Sequence, residues 1–362
     1  MMAILRIFFY PVLWLLSVFY ALIVSLNRNF CLKNRKILPG LTICVGNITA
    51  GGTGKTPAVI LLAKYIAGKR KKAAVLSRGY KRKTRLSGRA GRDPVVVSDG
   101  NNIVEPIEAA GDEPFLMAKN LPGVPVVVCA DRYAAGRLAV EKFAPDVLLM
   151  DDGFQHCRLF RDLDIVLIDC LDPFGGNHLL PLGFLREPVS SIGRAGIILL
   201  TNSNLVPEAK LETIIRRIKK HNHGAPIFKA LHKPAGLEKI ATGEKIALAR
   251  FNGTKVTALS SIGRPESFEK TLGLLGMVVS RNIRYPDHHW YSESEVIKLP
   301  ASGLPVITTE KDAVRLEKIL KAGLQSGLKG HAPEMYVLKI ELEIEEGKKG
   351  TFEKQLDTIL KL

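Results

Sequence analysis

The sequence predicts an α/β protein: a P-loop, doubly wound, mostly parallel sheet, joined by a second, smaller α/β domain and preceded by an N-terminal membrane-associated helix. Three observations carry this. A glycine-rich turn joins an apolar strand to a helix at residues 41–63, short apolar runs alternate with helical stretches along most of the chain, and an uncharged apolar run fills residues 7–26.

The apolar run IFFYPVLWLLSVFYALIVSL, Ile7 to Leu26, is 20 residues long, just enough for a helix to cross a bilayer. Arg6 precedes it, and Arg28, Lys33, Arg35 and Lys36 follow, which puts the C-terminal flank on the cytoplasmic side. A secretory signal is disfavoured, because the run is long and no small-residue cleavage site follows. Tyr10, Pro11, Trp14 and Tyr20 leave open a helix that lies in the interface instead of spanning. Residues 1–28 read as the membrane segment.

The apolar strand Leu41-Thr42-Ile43-Cys44-Val45 then runs into GNITAGGTGKTP, Gly46 to Pro57, and an apolar helix from Ala58. Glycines let the backbone fold around phosphate oxygens, the amide N–H groups point inward, and the helix N-terminus favours negative charge. Thr49, Ala50, Gly51, Gly52, Thr53, Gly54, Lys55 and Thr56 are the expected nucleotide-binding residues. Lys55 would reach the β- and γ-phosphates, and the Thr56 hydroxyl would ligand Mg²⁺. Thr49 stands where the strict G-x-x-x-x-G-K-S/T pattern has its first glycine, and Gly51 and Gly52 supply the freedom instead. The motif specifies a nucleoside triphosphate without specifying the base or the fate of the γ-phosphate.

From residue 37 to about 220, apolar runs at 41–45, 73–76, 124–129, 147–150, 165–168 and 196–200 are short and continuous, as strands covered on both faces should be. Helical stretches at 55–67, 114–119, 133–143 and 207–219 lie between them. Around 225–243 the pattern loosens at Pro226, Pro234, Gly236 and Gly243, which places the domain boundary there. The kinase-like core is thus residues 29–225. Residues 226–362 form a smaller α/β domain closing over the site, with strands expected at 256–259, 276–279 and 305–307 and helices at 267–275, 292–299 and 312–320.

The residues that carry chemistry follow strand ends. Val147-Leu148-Leu149-Met150 runs into Asp151-Asp152-Gly153-Phe154-Gln155-His156, and an apolar strand ending in Asp is how a P-loop enzyme fixes Mg²⁺. A strand-capping turn explains one Asp and the Gly but leaves Asp152 and His156 idle. Gly111-Asp112-Glu113-Pro114 puts two carboxylates at a helix mouth, where capping accounts for one. Arg132, after the strand ending at Cys129, is placed to neutralise phosphate. In the second domain, Asp287-His288-His289-Trp290-Tyr291 is the densest polar aromatic cluster, and adjacent histidines on one strand would not share an ion. Thr308-Thr309-Glu310-Lys311-Asp312 reads either as a base-reading segment or as a charged first helical turn.

Lys and Arg exceed Asp and Glu by 52 to 35 over 362 residues, a net charge of +17, which favours phosphate-bearing partners or an anionic membrane surface. The basic residues at 69–72 and Lys81, Arg82, Lys83 and Arg85 read either as solvated surface or, beside a membrane helix, as a site for anionic lipid heads. No zinc-finger spacing or aromatic-interleaved basic motif is present, so nucleic acid is not expected as a partner. Five cysteines without a C-x-x-C pair read as free thiols in a reducing cytosol.

Together, GNITAGGTGKTP (46–57), SRGY (77–80), GDEP (111–114), ADR (130–132), DDGFQH (151–156), PLGFLREP (181–188), DHHWY (287–291) and TTEKDA (308–313) closely resemble the tetraacyldisaccharide 4′-kinase family of lipid A synthesis. The match runs in order over nearly the whole chain. Lys81 follows SRGY where the family pattern has glycine, and Phe184 lies within the LREP block.

The resemblance implies transfer of the ATP γ-phosphate to the 4′-hydroxyl of a tetraacyldisaccharide 1-phosphate, a lipid acceptor, at the cytoplasmic face of the inner membrane. It implies that Asp112 is the catalytic base with a second-domain histidine as its partner, assigned to His288 with the adjacent His289 as the alternative. It also implies that Thr56, Glu113 and Asp151 are the candidates around Mg²⁺, and that Lys55 stabilises the transferring phosphoryl group. Arg78, Arg132, Asp152, His156 and Arg186 are then the candidates for substrate or phosphate contact. The rival reading, a membrane-tethered nucleotide switch acting on a protein partner, has no use for the cluster at 287–291.

Overall fold

The computed structural model describes residues 9–80, 93–299, 303–325, 334–345 and 351–361. Ile7 and Phe8 of the apolar run, and the basic residues Lys81, Arg82, Lys83 and Arg85, lie outside them.

The first half comprises α1 (Tyr10–Lys33), β1 (Leu41–Asn47), α2 (Lys55–Gly68), β2 (Ala73–Ser77), β3 (Val95–Ser98), α3 (Ile107–Ala110), α4 (Asp112–Asn120), β4 (Val126–Val128), α5 (Arg132–Phe143), β5 (Val147–Asp151), β6 (Leu163–Asp169), β7 (Ile197–Thr201) and α6 (Glu208–Lys219). The second half comprises β8 (Ile227–Lys239), β9 (Lys245–Ile246), β10 (Lys255–Ser260), α7 (Pro265–Leu274), β11 (Val278–Arg284), α8 (Glu293–Ile297), β12 (Val306–Thr309), α9 (Glu310–Gln325), β13 (Met335–Glu345) and α10 (Thr351–Leu360).

The strands follow the order β11-β10-β12-β13-β8-β7-β6-β1-β5-β2-β4-β3, with β9 paired to β8. Neighbours are parallel except at β3/β4, β8/β9 and the long β8/β13 pair. The strands around β1 are buried on both faces, which is why they read as unbroken apolar runs instead of alternating ones. One core layer packs α2 and α10 residues such as Leu62, Ile66 and Leu356 against Val45, Leu149 and Leu199. The opposite layer sets Cys44, Met150, Phe154 and Ile198 against Leu211 and Ile214 of α6.

The loosened stretch at 225–243 is in fact mostly β8, 13 residues long. Pro234 and Gly236 are tolerated because the register against β13 shifts there: Gly236 faces Lys339, Pro234 faces Ile340, and Ala235 is left over as a bulge. Nor does the expected strand at 276–279 begin there. Gly276, at φ +80°, makes the turn out of α7, so β11 starts at Val278.

At 24 residues, α1 spans about 36 Å at 1.5 Å per residue. It is the single described helix long and apolar enough to cross a membrane, and it leaves Trp14, Phe19, Leu22, Ile23 and Leu26 exposed. Its polar residues hold it to the 174–188 loop. Ser17 Oγ donates to Leu179 O (2.9 Å) and accepts from Leu182 N (3.2 Å), and Tyr20 OH donates to Arg186 O (3.1 Å).

Candidate active site

β1 ends at Asn47 and α2 begins at Lys55, with the glycine-rich loop between them. Gly54 caps the helix at φ +87°, a left-handed conformation in which a side chain would be strained. The 181–188 block braces the other side of the loop. Ala50 N donates to Phe184 O (2.7 Å), Arg186 N donates to Ile48 O (2.8 Å), and Thr49 bridges Leu185. Lys55 Nζ donates to Gly51 O (3.4 Å) and lies 3.6 Å from Asp152 Oδ1, while the Thr53 Oγ1 hydroxyl is buried with no hydrogen-bond partner.

β5 and its neighbours supply the carboxylates. Ser77 Oγ donates to Asp151 Oδ2 (2.9 Å), and Asp151 Oδ1 is buried without a partner. Burial, then the charges of Glu113 and Asp152, push the Asp151 carboxyl up to about 7 against the pull of Lys55 and Ser77. Asp152 adopts φ +47°, uncommon outside glycine, and Arg186 Nη1 grips both its oxygens at 2.9 and 3.0 Å. Burial raises the Asp152 carboxyl, but Lys55 and Arg186 outweigh it and the net shift is downward.

This is a setting that a divalent cation fits. The orphaned Asp151 oxygen sits among the negative charges of Glu113 and Asp152, Thr56 is buried at the start of α2, and oxygen donors suit Mg²⁺. Among the described residues no group of three His, Cys, Asp or Glu side chains forms a cage by itself, as expected of a site shared with nucleotide phosphates.

The second half reaches across to α4. Gly111 (φ +89°, ψ 156°) takes a backbone conformation that suits glycine and presents Asp112 at the start of the helix. His288, itself at φ +63°, lies with Nδ1 2.8 Å from Asp112 Oδ2. Arg315 Nη1 lies 3.6 Å from that oxygen, and Lys311 Nζ contacts Glu113 Oε1. Burial pushes the Asp112 carboxyl up, but His288, then Lys311 and Arg315, more than reverse this and hold it below the usual carboxylate range. It is therefore ionised and accepts only, so His288 Nδ1 carries the proton between them. Ile107, Leu116 and Val314 pack together beneath these pairs, and the Tyr80 ring meets His288 edge-on at 5.7 Å.

His289 faces elsewhere: its ring stacks on Tyr285 at 4.3 Å and its Nε2 lies 3.0 Å from Glu295 Oε1. Arg132 is buried, its guanidinium donating to the carbonyls of Cys129 (3.0 Å), Ala130 (3.4 Å) and Asp151 (3.4 Å) with Nε left without a hydrogen bond. Arg78 is exposed within electrostatic range of Arg132. Burial, reinforced by Arg132, lowers His156 to about 4, so it is neutral near pH 7, and its Nε2 is buried without a partner.

The structure thus gathers Lys55, Asp151, Asp152 and Arg186 at the loop, and Asp112, Glu113 and His288 across from it. Sequence reasoning missed Lys311 as the partner of Glu113, and Arg315 altogether. The signal for Lys311 was the TTEKDA segment; Arg315 lies outside that motif, one helical turn further along α9. Thr309 Oγ1 accepts from Asp312 N (3.3 Å), so the segment forms the capped, charged first turn of α9.

Comparison with known proteins gives the family. The family model described as tetraacyldisaccharide-1-P 4′-kinase matches residues 9–361. The tetraacyldisaccharide 4′-kinase of Syntrophus aciditrophicus is 40% identical over 324 residues, 85% of this chain and 84% of that protein. That of Elusimicrobium minutum is 41% identical over 314 residues, covering 85% and 79%. The crystal structure of LpxK from Aquifex aeolicus in complex with ATP superposes with a TM-score of 0.75 at 33% identity, covering 98% of this chain and 99% of that one. On this identity and coverage, the chain belongs to the tetraacyldisaccharide-1-P 4′-kinase family.

Proposed function

We propose that the protein transfers the γ-phosphoryl group of ATP to the 4′-hydroxyl of a tetraacylated disaccharide 1-phosphate at the cytoplasmic face of the inner membrane. The observation that carries the proposal is the Asp112–His288 pair, a carboxylate and an imidazole brought together from the two halves of the chain beside a phosphate-binding loop. A relative crystallised with ATP supports ATP as the donor.

Asp112 accepts the 4′-hydroxyl proton as that oxygen bonds to the γ-phosphorus and the bond to the β-phosphate oxygen breaks, releasing ADP. His288 orients the carboxylate through Nδ1–H and stabilises its charge. Because Asp112 is a weak base, its proton transfer is expected late, as a loose phosphoryl transition state requires. Lys55, leaving Gly51 O and Asp152, counters the charge that develops on the phosphoryl group. Thr56, Asp151 and Glu113 would hold Mg²⁺, whose chemistry is to neutralise phosphate charge. Arg186, held by Asp152, and Arg78, Arg132 and neutral His156 form the acceptor side.

Residues 29–225, together with β8 and α10, which pack into the same core, act as the phosphate-binding unit, and the rest of residues 226–362 as the part that closes on it and excludes water. The exposed apolar face of α1 anchors the protein where the acyl chains of its substrate lie, and the basic surface meets anionic headgroups.

The test is transfer of labelled γ-phosphate from ATP to tetraacyldisaccharide 1-phosphate in detergent micelles, against a control without acceptor. Labelled lipid with little free phosphate supports the kinase. Free phosphate released equally with and without acceptor overturns it in favour of a switch ATPase.

A further inference from the structure

β6, β7 and β8 are adjacent parallel strands, in register at Asp169, Thr201 and Ala230; β6 and β7 end there, beside the P-loop, while β8 runs on past it. Ligands in such sheets bind at that edge. Four polar side chains form a chain along it, none used by the phosphoryl transfer described above. Arg264, from the second half, pairs with the fully buried carboxylate of Asp169 and lies 3.5 Å from Asp172. Asn202 Nδ2 donates to Asp169 Oδ1 (2.9 Å), and Asn202 Oδ1 lies 2.9 Å from His232 Nδ1.

The order of donors and acceptors along this chain is forced. A carboxylate paired with a guanidinium accepts only, so the Asn202 amide must turn its NH₂ to Asp169 and its oxygen to His232. That oxygen also only accepts, so His232 carries its proton on Nδ1. Burial lowers the His232 pKa, which keeps the ring neutral near pH 7. Nε2 is left as a hydrogen-bond acceptor, and it faces the loop: a Cβ built on Gly54 would lie 2.6 Å from it. Beside it, Thr201 Oγ1 donates to Thr53 O (3.1 Å), and Gly263, next to Arg264, lies against Gly51 and Gly52.

We infer that His232 Nε2 recognises the nucleoside part of the triphosphate, accepting a hydrogen bond from the exocyclic amine of the base or from a ribose hydroxyl, with Asn202, Asp169 and Arg264 as positioning residues that fix its tautomer. An acceptor suits neither a phosphate oxygen nor the 6-oxo group of guanine or hypoxanthine, so with a 6-amine as donor the site favours adenine over hypoxanthine. The inference rests on the kinase reading only for the identity of the nucleotide. It moves base recognition away from the 308–312 segment to the end of β7 and the adjoining stretch of β8.

The test compares ATP with ITP, which replaces the amine by an oxo group, and with 2′-deoxy-ATP and 3′-deoxy-ATP. Binding by calorimetry without acceptor and kcat/KM with lipid acceptor are both measured, on wild type and His232→Phe. Loss of one such hydrogen bond is worth about three- to tenfold. Wild type should disfavour one analogue by that factor, ITP if the amine is the donor or a deoxy analogue if the ribose is, and His232→Phe should bring that ratio close to one while raising KM for ATP. Wild type indifferent to all three analogues would overturn the inference without recourse to any variant, as would an unchanged ratio in His232→Phe. Absence of lipid phosphorylation with an intact analogue preference in binding would sink the kinase reading and leave this site standing.

Discussion

Asp112 and His288, 176 residues apart in the chain, meet at 2.8 Å across the two halves of the protein, and the carboxylate is ionised and held in place by that contact. Removing the base should be far more damaging than removing its partner. Asp112→Ala is expected to lower kcat for lipid phosphorylation by about 10²- to 10⁴-fold, with His288→Ala nearer the lower end. Calorimetric ATP binding should persist in both. Loss of nucleotide binding in Asp112→Ala would move Asp112 from the base to the metal site.

Lys311 and Glu113 are a second cross-half pair, partly screened by solvent. Lys311→Met should destabilise the protein by about 1–3 kcal/mol, because it leaves Glu113 without its counter-charge, and Lys311→Arg by less. A double-mutant cycle with Glu113→Gln, read by urea denaturation, should give a coupling of about 1–2 kcal/mol. Additive losses would mean that the pair contributes nothing.

His156 provides a pH-dependent prediction. Its pKa is about 4 in the folded protein, against an ordinary value near 6.5 in the unfolded chain, so between those values the unfolded state binds more protons. Stability should therefore fall as pH drops from about 6.5 to 4, by on the order of 2 kcal/mol from this residue after allowing for its partial exposure. His156→Gln should flatten that part of the stability curve and change little above pH 7.5. Identical curves for variant and wild type would refute the buried neutral state.

Leu22 and Leu26 sit on the exposed face of α1, away from the polar contacts of Ser17 and Tyr20. Leu22→Lys with Leu26→Lys should release the protein from anionic vesicles in a flotation assay, since a cation placed in the hydrocarbon costs about 2–3 kcal/mol. ATP binding should be unaffected. Retention on vesicles would mean that the basic surface, and not the helix, holds the membrane.

Much of this was legible in local pattern. The strand, glycine turn and helix at 41–63 lie within one window, where periodicity and the demands of phosphate binding act directly on neighbouring residues. The apolar helix was legible for the same reason. The stretch at 225–243 was not: Pro234 and Gly236 read as a linker because the bulge that accommodates them depends on β13, a strand about a hundred residues later.

The sequence by itself determined the doubly wound sheet, the phosphate loop, the apolar N-terminal helix and most of the residues from which the candidate site is drawn. Tertiary structure decided which of them meet, His288 and not His289 on Asp112, Lys311 on Glu113 and Arg186 on Asp152, and it added the Asp169–Asn202–His232 chain beside Gly54, which no sequence pattern marked. The reason is physical. Periodicity and spacing act through the backbone over a turn or a strand, whereas strand order in the sheet is fixed only when distant apolar faces pack, and that packing selects the pairs.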